Sequence, residues 1–359
     1  MTPADKDARG RRRALAFGAV LLATLGLAAG YAWHVAKRDA AASRSTAPAL
    51  GGSARVVPMD RARPQLVYRS TALGDGYGKV AFRPLDDAAS ASVLTPLSCE
   101  RVHFAAGHGV CLASRRGLPT TYAAELFNER FEVIHSIALA GPPSRARMSP
   151  DGRYAAFTVF VSGHAYSNPG FTTRTSIVDA ATGRPVAQDL EAFELLHDGR
   201  QVSASDRNFW GVSFSPDGQR FVATVGTGGQ VMLVEGDIAS RRMRVIHGDV
   251  ECPSWSPDGS RIAFKRRSAS GATGRVLWRL HVLELASGKE TALLTETRNV
   301  DDQVEWLNDR EIVYSMPDDA QPPTAATQLW ALAVDGRSAP RAYLRFAYSP
   351  AVANRAGAR

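Results

Sequence analysis

The chain has 359 residues, 45% of them hydrophobic and 22% charged, with a formal net charge of +8. That apolar content excludes a disordered or collagen-like chain, and 31 glycines with 20 prolines imply many turns. Residues 1–65 hold 11 basic against 4 acidic side chains, seven of the eight excess positive charges, so the remainder is nearly neutral and no nucleic-acid partner is expected.

Residues 14–33 form a run of 20 without a charge, long enough to cross a bilayer core of about 30 Å as a helix. Lys6, Arg9, Arg11, Arg12 and Arg13 precede it and only Lys37, Arg38 and Arg44 follow. The positive-inside bias therefore predicts a cytoplasmic basic N-terminus over 1–13, a signal-anchor helix over 14–36 and an exported remainder. The alternative is a cleaved signal peptide with a small-residue site at Ala28-Ala29-Gly30, which leaves the rest secreted or periplasmic. Residues 37–65 are rich in Ala, Ser, Arg, Gly and Pro without apolar periodicity and read as a flexible linker.

From residue 66 onward, short runs rich in Val, Ile, Phe, Tyr and Thr alternate with Gly, Asp and Pro turns, the pattern of an all-β fold. Three stretches share one motif: Met148-Ser149-Pro150-Asp151-Gly152, Phe214-Ser215-Pro216-Asp217-Gly218 and Trp255-Ser256-Pro257-Asp258-Gly259. Each lies between an apolar run and an alternating one, as in a tight hairpin. Proline ends the first strand, Asp bonds nearby amides, and Gly accepts a positive φ. Degenerate copies stand at Gly107-His108-Gly109 and Trp306-Leu307-Asn308-Asp309.

Spacings of 41 to 66 residues between the turn glycines, with four strands per unit, are those of β-propeller blades. Blade three is expected to end in a fourth strand over 186–195. The first blade begins directly with its second strand at Leu66, and Phe346-Ala347-Tyr348-Ser349-Pro350 resembles the missing first strand. The expectation is an all-β, six-bladed β-propeller over 66–353, closed by its C-terminal strand, preceded by one transmembrane helix and followed by a short tail over 354–359.

The recurrent Ser-Pro-Asp-Gly followed by Arg-x-Ile/Ala-Ala-Phe, as in residues 255–264, resembles the repeat of the TolB-like six-bladed propeller family. The resemblance covers about 66–353 and implies a ring with a central channel and a protein-binding role in the cell envelope. The family's namesake carries an additional amino-terminal α/β domain. This chain has an apolar segment and a tether there, which puts the carry-over of specific partners in doubt.

All Asp-Gly turns join first to second strands and so share one face. The insertions at 162–172, 197–210, 267–275 and 316–327 belong to the opposite face, where long loops on a rigid scaffold carry binding. Within them His164, Tyr166, Asn168, Phe171, His197, Trp210, Asp318 and Asp319 are the binding candidates, each with a plain alternative. Trp210 starts a strand and can pack between blades, a loop histidine can simply be solvated, and Asp318-Asp319 beside prolines suits a polar turn. First strands line the channel, which makes Arg145, Arg147, Glu251, Asp302 and Glu305 candidates for a small anion or a metal with water. Charges that pair in a wet channel are the plain alternative.

The three cysteines are Cys99, Cys111 and Cys252. Export permits a Cys99–Cys111 disulfide. With a turn at Gly107-His108-Gly109, however, simple register places Cys99 opposite a residue beyond Cys111, so a bridge needs Cys99 to sit off the strand. Cys252 reads as a buried free thiol. The run Gly74-Asp-Gly-Tyr-Gly-Lys79 fails as a phosphate loop because Val80 replaces Ser or Thr and a strand follows. The sequence contains no His-Glu-x-x-His, Gly-x-Ser-x-Gly or Cys-x-x-Cys. The expected function is therefore a non-catalytic protein-interaction or ligand-binding module of the envelope, with no cofactor or metal, whose partner is an envelope protein or cell-surface component. The alternative is a propeller lyase or hydrolase with a channel site, with or without the assistance of a metal.

Overall fold

A computed structural model describes residues 15–34, 50–51, 57–87, 90–163, 170–269, 276–318 and 326–354. Two compact units are distinguished, residues 1–47 and 48–359. In the first, the described residues 15–34 form one helix, and Leu15–His34 is long and apolar enough to cross a membrane. Its large apolar side chains, Leu15, Phe17, Leu22 and Leu27 among them, are exposed.

The second unit is a six-bladed propeller. Its first strands are Ala347–Ala353, Arg101–Ala105, Pro143–Met148, Asn208–Phe214, Glu251–Trp255 and Glu305–Asn308, for blades one to six. Each neighbours the next, and blade six returns to blade one, so the ring is closed. The C-terminal strand supplies the first strand of blade one: Ala353 pairs with Gln65, Val352 with Leu66 and Ala347 with Ser70. Ring closure by the last strand is as the sequence predicts.

The Ser-Pro-Asp-Gly turns show why those residues recur. In blade three the Ser149 hydroxyl accepts the Tyr154 amide at 2.8 Å and donates to Asp151 at 2.5 Å. The same carboxylate accepts the Arg153 amide at 3.0 Å. Gly152 closes the turn onto the Ser149 carbonyl at 2.9 Å with φ +74°. Ser215/Asp217 and Ser256/Asp258 repeat the arrangement, and Asn308 takes the place of the aspartate in blade six by accepting the Arg310 and Glu311 amides. In each full copy the Gly amide and the two amides after it thus have partners within the turn.

Between blades the core is aromatic and aliphatic. Phe82 of blade one and Phe104, Phe127 and Phe131 of blade two lie with ring centroids 5.2 to 6.2 Å apart. Burying each phenylalanine contributes about 1.5–3 kcal/mol.

Two expectations are corrected. The fourth strand of blade three is Pro185–Ala187, not 186–195. Asp189 then caps a short 3-10 turn, Leu190–Ala192, and accepts the Glu191 amide. That turn redirects the chain, so Glu194–His197 runs parallel to Arg242–Gly248 and adds a strand to the outer edge of blade four. An apolar run hid the change of blade. In blade two the turn residues are Ala106 and Gly107, with φ of 44° and 86°, one position earlier than the glycine pattern suggests. Cys99 lies outside the strand Arg101–Ala105, its amide bonded to Gly78, and this placement lets it bridge Cys111 with Cα atoms 5.4 Å apart. Cys252 is free and buried.

Candidate functional site

The channel walls carry a set of buried ion pairs. Strand direction alternates within each blade, so the start of every first strand stands at the face of the long loops and its end at the face of the Ser-Pro-Asp-Gly turns. Nearest the loop face are Arg101, Arg145, Glu251, Asp301 and Asp302. Arg101 donates to Asp302 at 3.1 Å and lies over the Tyr348 ring at 4.4 Å. The other Asp302 oxygen accepts the Ser315 amide at 3.1 Å. Asp301 receives the Lys265 ammonium and stands 3.6 Å from Arg145. Burial alone would raise the Asp301 carboxyl, but Lys265 and Arg145 outweigh it and hold it below the usual carboxylate range. Burial pushes the Tyr348 phenol up.

Lys265 is fully buried, its ammonium 4.3 Å from the centroid of the Trp278 ring. Trp278 in turn donates to Glu251 at 3.0 Å, and Arg267 donates to the same oxygen at 2.5 Å. Glu251 is therefore held by a cation and an indole.

Deeper in the channel, Arg147 pairs with Glu305 and also donates to the Val304 carbonyl at 3.0 Å. His103 Nδ1 accepts the Met148 amide at 3.0 Å, while its Nε2 stands 3.1 Å from the Arg147 guanidinium and 3.4 Å from the Glu305 carboxylate. Gln303 reaches from blade six to the carbonyls of Gly211, Val212 and Pro253, at 2.8 to 3.1 Å, tying the inner strands of blades four and five. Five cations (Arg101, Arg145, Arg147, Lys265, Arg267) thus meet four carboxylates (Glu251, Asp301, Asp302, Glu305), a polar lining whose charges are spent largely on one another.

All five channel candidates from the sequence, Arg145, Arg147, Glu251, Asp302 and Glu305, are buried in this lining. Their partners Arg101, His103, Arg267, Trp278 and Asp301, and the Lys265 that pairs with Asp301, escape sequence reasoning. His103 lies in the blade whose turn motif is degenerate, which obscures its alignment with Arg147. Lys265 belongs to a second strand, where a lysine reads as solvated.

The loop candidates fare differently. Trp210 is 1% exposed and packs with Phe160, Cys252 and Trp278. Phe171 meets Trp210 edge-on at 5.3 Å. Both are packing residues, not solvent-facing anchors, because blade four's first strand begins before Trp210 and draws the neighbouring loop base inward. Asp318 is buried and accepts from Arg345 at 2.9 Å, so it fastens the base of its loop. His197 is exposed at the hairpin that blade four gains, on the outer rim away from the channel. His164, Tyr166, Asn168 and Asp319 lie outside the described residues. Among the described residues no group of three or more His, Cys, Asp or Glu has an arrangement that could hold a metal.

No family model and no curated protein sequence matches the chain. Solved structures do. TolB from Acinetobacter baumannii superposes with a TM-score of 0.53 at 18% identity, over 82% of this chain and 68% of that one. A chain of a nidogen/laminin complex gives a TM-score of 0.50 at 10% identity, over 80% of this chain and 98% of that one. A putative TolB from Agrobacterium tumefaciens gives 0.46 at 13% identity, over 79% and 90%. At such identities the likeness concerns the fold, and the fold is a TolB-like six-bladed β-propeller.

Proposed function

We propose that this chain is a membrane-tethered, extracytoplasmic propeller that binds an envelope protein or cell-surface component through the face of its long loops, without catalysis. The observation that carries this reading is the mutual pairing of the channel charges: Arg147 with Glu305, Lys265 with Asp301, Arg101 with Asp302 and Arg267 with Glu251. A general acid or base needs a proton-transfer partner in the substrate. Here His103 and Glu305 do converge, but the histidine is fixed by a backbone amide and the carboxylate by an arginine. The contrast between faces supports the same reading, because self-capped turns occupy one, and the strands that flank the insertions at 162–172, 267–275 and 316–327 meet at the other. The helix Leu15–His34, with its basic flank, serves as the anchor.

Crosslinking of the tethered protein in intact cells, followed by identification of what attaches, tests this directly. A version lacking residues 162–172 is expected to lose those crosslinks, and unchanged crosslinks would sink the proposed face. Protease added to spheroplasts is expected to digest the propeller or its tether. Full protection would overturn the orientation.

A further inference from the structure

The outer edges of the blades are defended unequally. Blade one's outermost full strand, Ser92–Ser98, is covered by Leu50–Gly51, and blade four's, Arg242–Gly248, by Glu194–His197. Blades three and five end in strands of three residues, Pro185–Ala187 and Glu290–Ala292, and blade six in Arg341–Arg345, which carries two arginines. Shortness, covering and charge are the usual protections of an edge. Beyond its short fourth strand, blade three's third strand, Thr172–Asp179, is capped by a side chain, since Asn208 accepts the Thr173 amide at 2.8 Å.

Blade two has none of these. Its last strand, Val133–Leu139 (VIHSIAL), is seven residues long, carries no Asp, Glu, Lys or Arg, and among the described residues no strand pairs its outer side. Val133 and Ile134 are 45% and 39% exposed, large apolar side chains on a bare edge. Its one titratable side chain, His135, is bonded to the Ala181 carbonyl of blade three. Beside this strand, in the space left by blade three's short outer strand, lies a cavity of about 160 Å³. Ile137 and Leu139 form one wall, Phe157, Val159 and Val178 the other, and Arg174 is among the lining residues.

The geometry points to a peptide-docking edge: an extended segment of a partner protein adds as a fifth strand beside Val133–Leu139 and places one Leu- or Phe-sized side chain in the cavity. Main-chain hydrogen bonds would hold the segment and the cavity would select it, the division of labour in strand addition. A cavity of about this volume accommodates a benzene ring, and here Ser176 and Gln188 join Arg174 as its polar lining. The area argues for a slender segment over a second copy of this chain. A seven-residue edge is about 24 Å long, and a strip about 10 Å deep buries about 240 Å² per partner, well short of the about 800 Å² of a stable pair.

The test uses the full-length chain in detergent and a fluorescein-labelled heptapeptide of alternating threonine and leucine, read by fluorescence anisotropy. Saturable binding is expected, weakened at least tenfold by methylating the peptide's alternate amides, by Ala138→Lys, which charges an exposed edge position, and by Gln188→Trp, which fills the cavity rim from an exposed one. Unchanged thermal unfolding of both variants establishes that they fold. Absence of binding, or binding indifferent to all three changes, overturns the proposal. So does a dimer of the parent chain that Ala138→Lys dissociates without any peptide binding, which would assign the edge to a second copy.

Discussion

The carboxylate of Asp151 lies where a side chain on Gly218 would have to go: a Cβ built on that glycine stands 2.9 Å from Asp151 Oδ2. The turn of blade three therefore nests against the turn of blade four. The same relation recurs around this face. A Cβ on Gly152 would meet the Ala106 carbonyl of blade two at 3.0 Å, and one on Gly259 would meet Pro216 of blade four at 3.2 Å. Between blades five and six the Asp258 amide donates to Asp309 at 3.0 Å. The repeated motif is thus both a hairpin turn and a lock between neighbouring blades.

Gly218→Ala is expected to cost more than a left-handed alanine alone. Gly288 is the comparison, with φ +68° against +70° for Gly218 and nothing within 4 Å of its built Cβ. Gly288→Ala should destabilise by about 1–2 kcal/mol, the backbone penalty. Gly218→Ala adds displacement of a carboxylate already bonded to Ser149 and Arg153, for a total of about 2–4 kcal/mol. Urea unfolding of the two variants measures the difference, and equal losses would show that the nesting contributes nothing.

The Arg147–Glu305 pair makes a second prediction, because both side chains are less than a tenth exposed, at 7% and 5%. Glu305→Gln leaves the guanidinium buried beside a neutral group and should cost about 3–5 kcal/mol. The double variant Arg147→Met/Glu305→Gln removes both charges and should recover a substantial part of that loss. Additive losses in the double-mutant cycle would mean that the two residues act independently.

The Ser-Pro-Asp-Gly copies made the blade count, the closing strand and the identity of the two faces legible in sequence, since each copy marks a turn that only a few residue types can make. The channel residues were half legible. A first strand announces itself by the turn that ends it, so Arg145, Arg147 and Glu305 could be placed, whereas their partners come from other blades or from second strands and share no local pattern with them. Lys265 shows the difficulty best, because nothing adjacent to it in sequence reveals an Asp301 from the next blade. Trp210 packs between blades, the plain alternative that its place at a strand start suggested, whereas Phe171 misled because it lies just before the strand Thr172–Asp179 and nothing local reveals its contact with Trp210.

Acid should unpick the turns before the aromatic core. Partial burial alone would raise the Asp258 carboxyl, but the Ser256 hydroxyl, the amide and hydroxyl of Ser260 and the Arg261 guanidinium bring it down to about 2. Asp217 is lowered in the same way, chiefly by Ser215. A folded-state value below the unfolded one means that the unfolded chain takes up the proton first as pH falls. The stabilisation is complete above about pH 5 and drains away toward about pH 2. Asp258→Ala should therefore be less stable than the parent at pH 7, with a gap that closes as pH drops through this window. A gap independent of pH between 7 and 2.5 would show that the charge of Asp258 is irrelevant to the turn.

Ring closure offers the last prediction. Ala347, Ala351 and Ala353 are each at most 1% exposed, and their strand pairs along the second strand of blade one, from Gln65 to Ser70. A chain ending at residue 346 would expose the edge of Gln65–Ser70 and the apolar flanks of blades two and six, which pack against the closing strand. It is expected to aggregate or to unfold without cooperativity, because a propeller with an open inner edge presents a template for further pairing. Adding a peptide of residues 347–354 in excess should restore a cooperative transition whose midpoint rises with peptide concentration, since anything that binds the folded form alone stabilises it by mass action. A truncated chain that melts like the parent would place the closing energy elsewhere, in the interblade turns around Asp151 and Gly218.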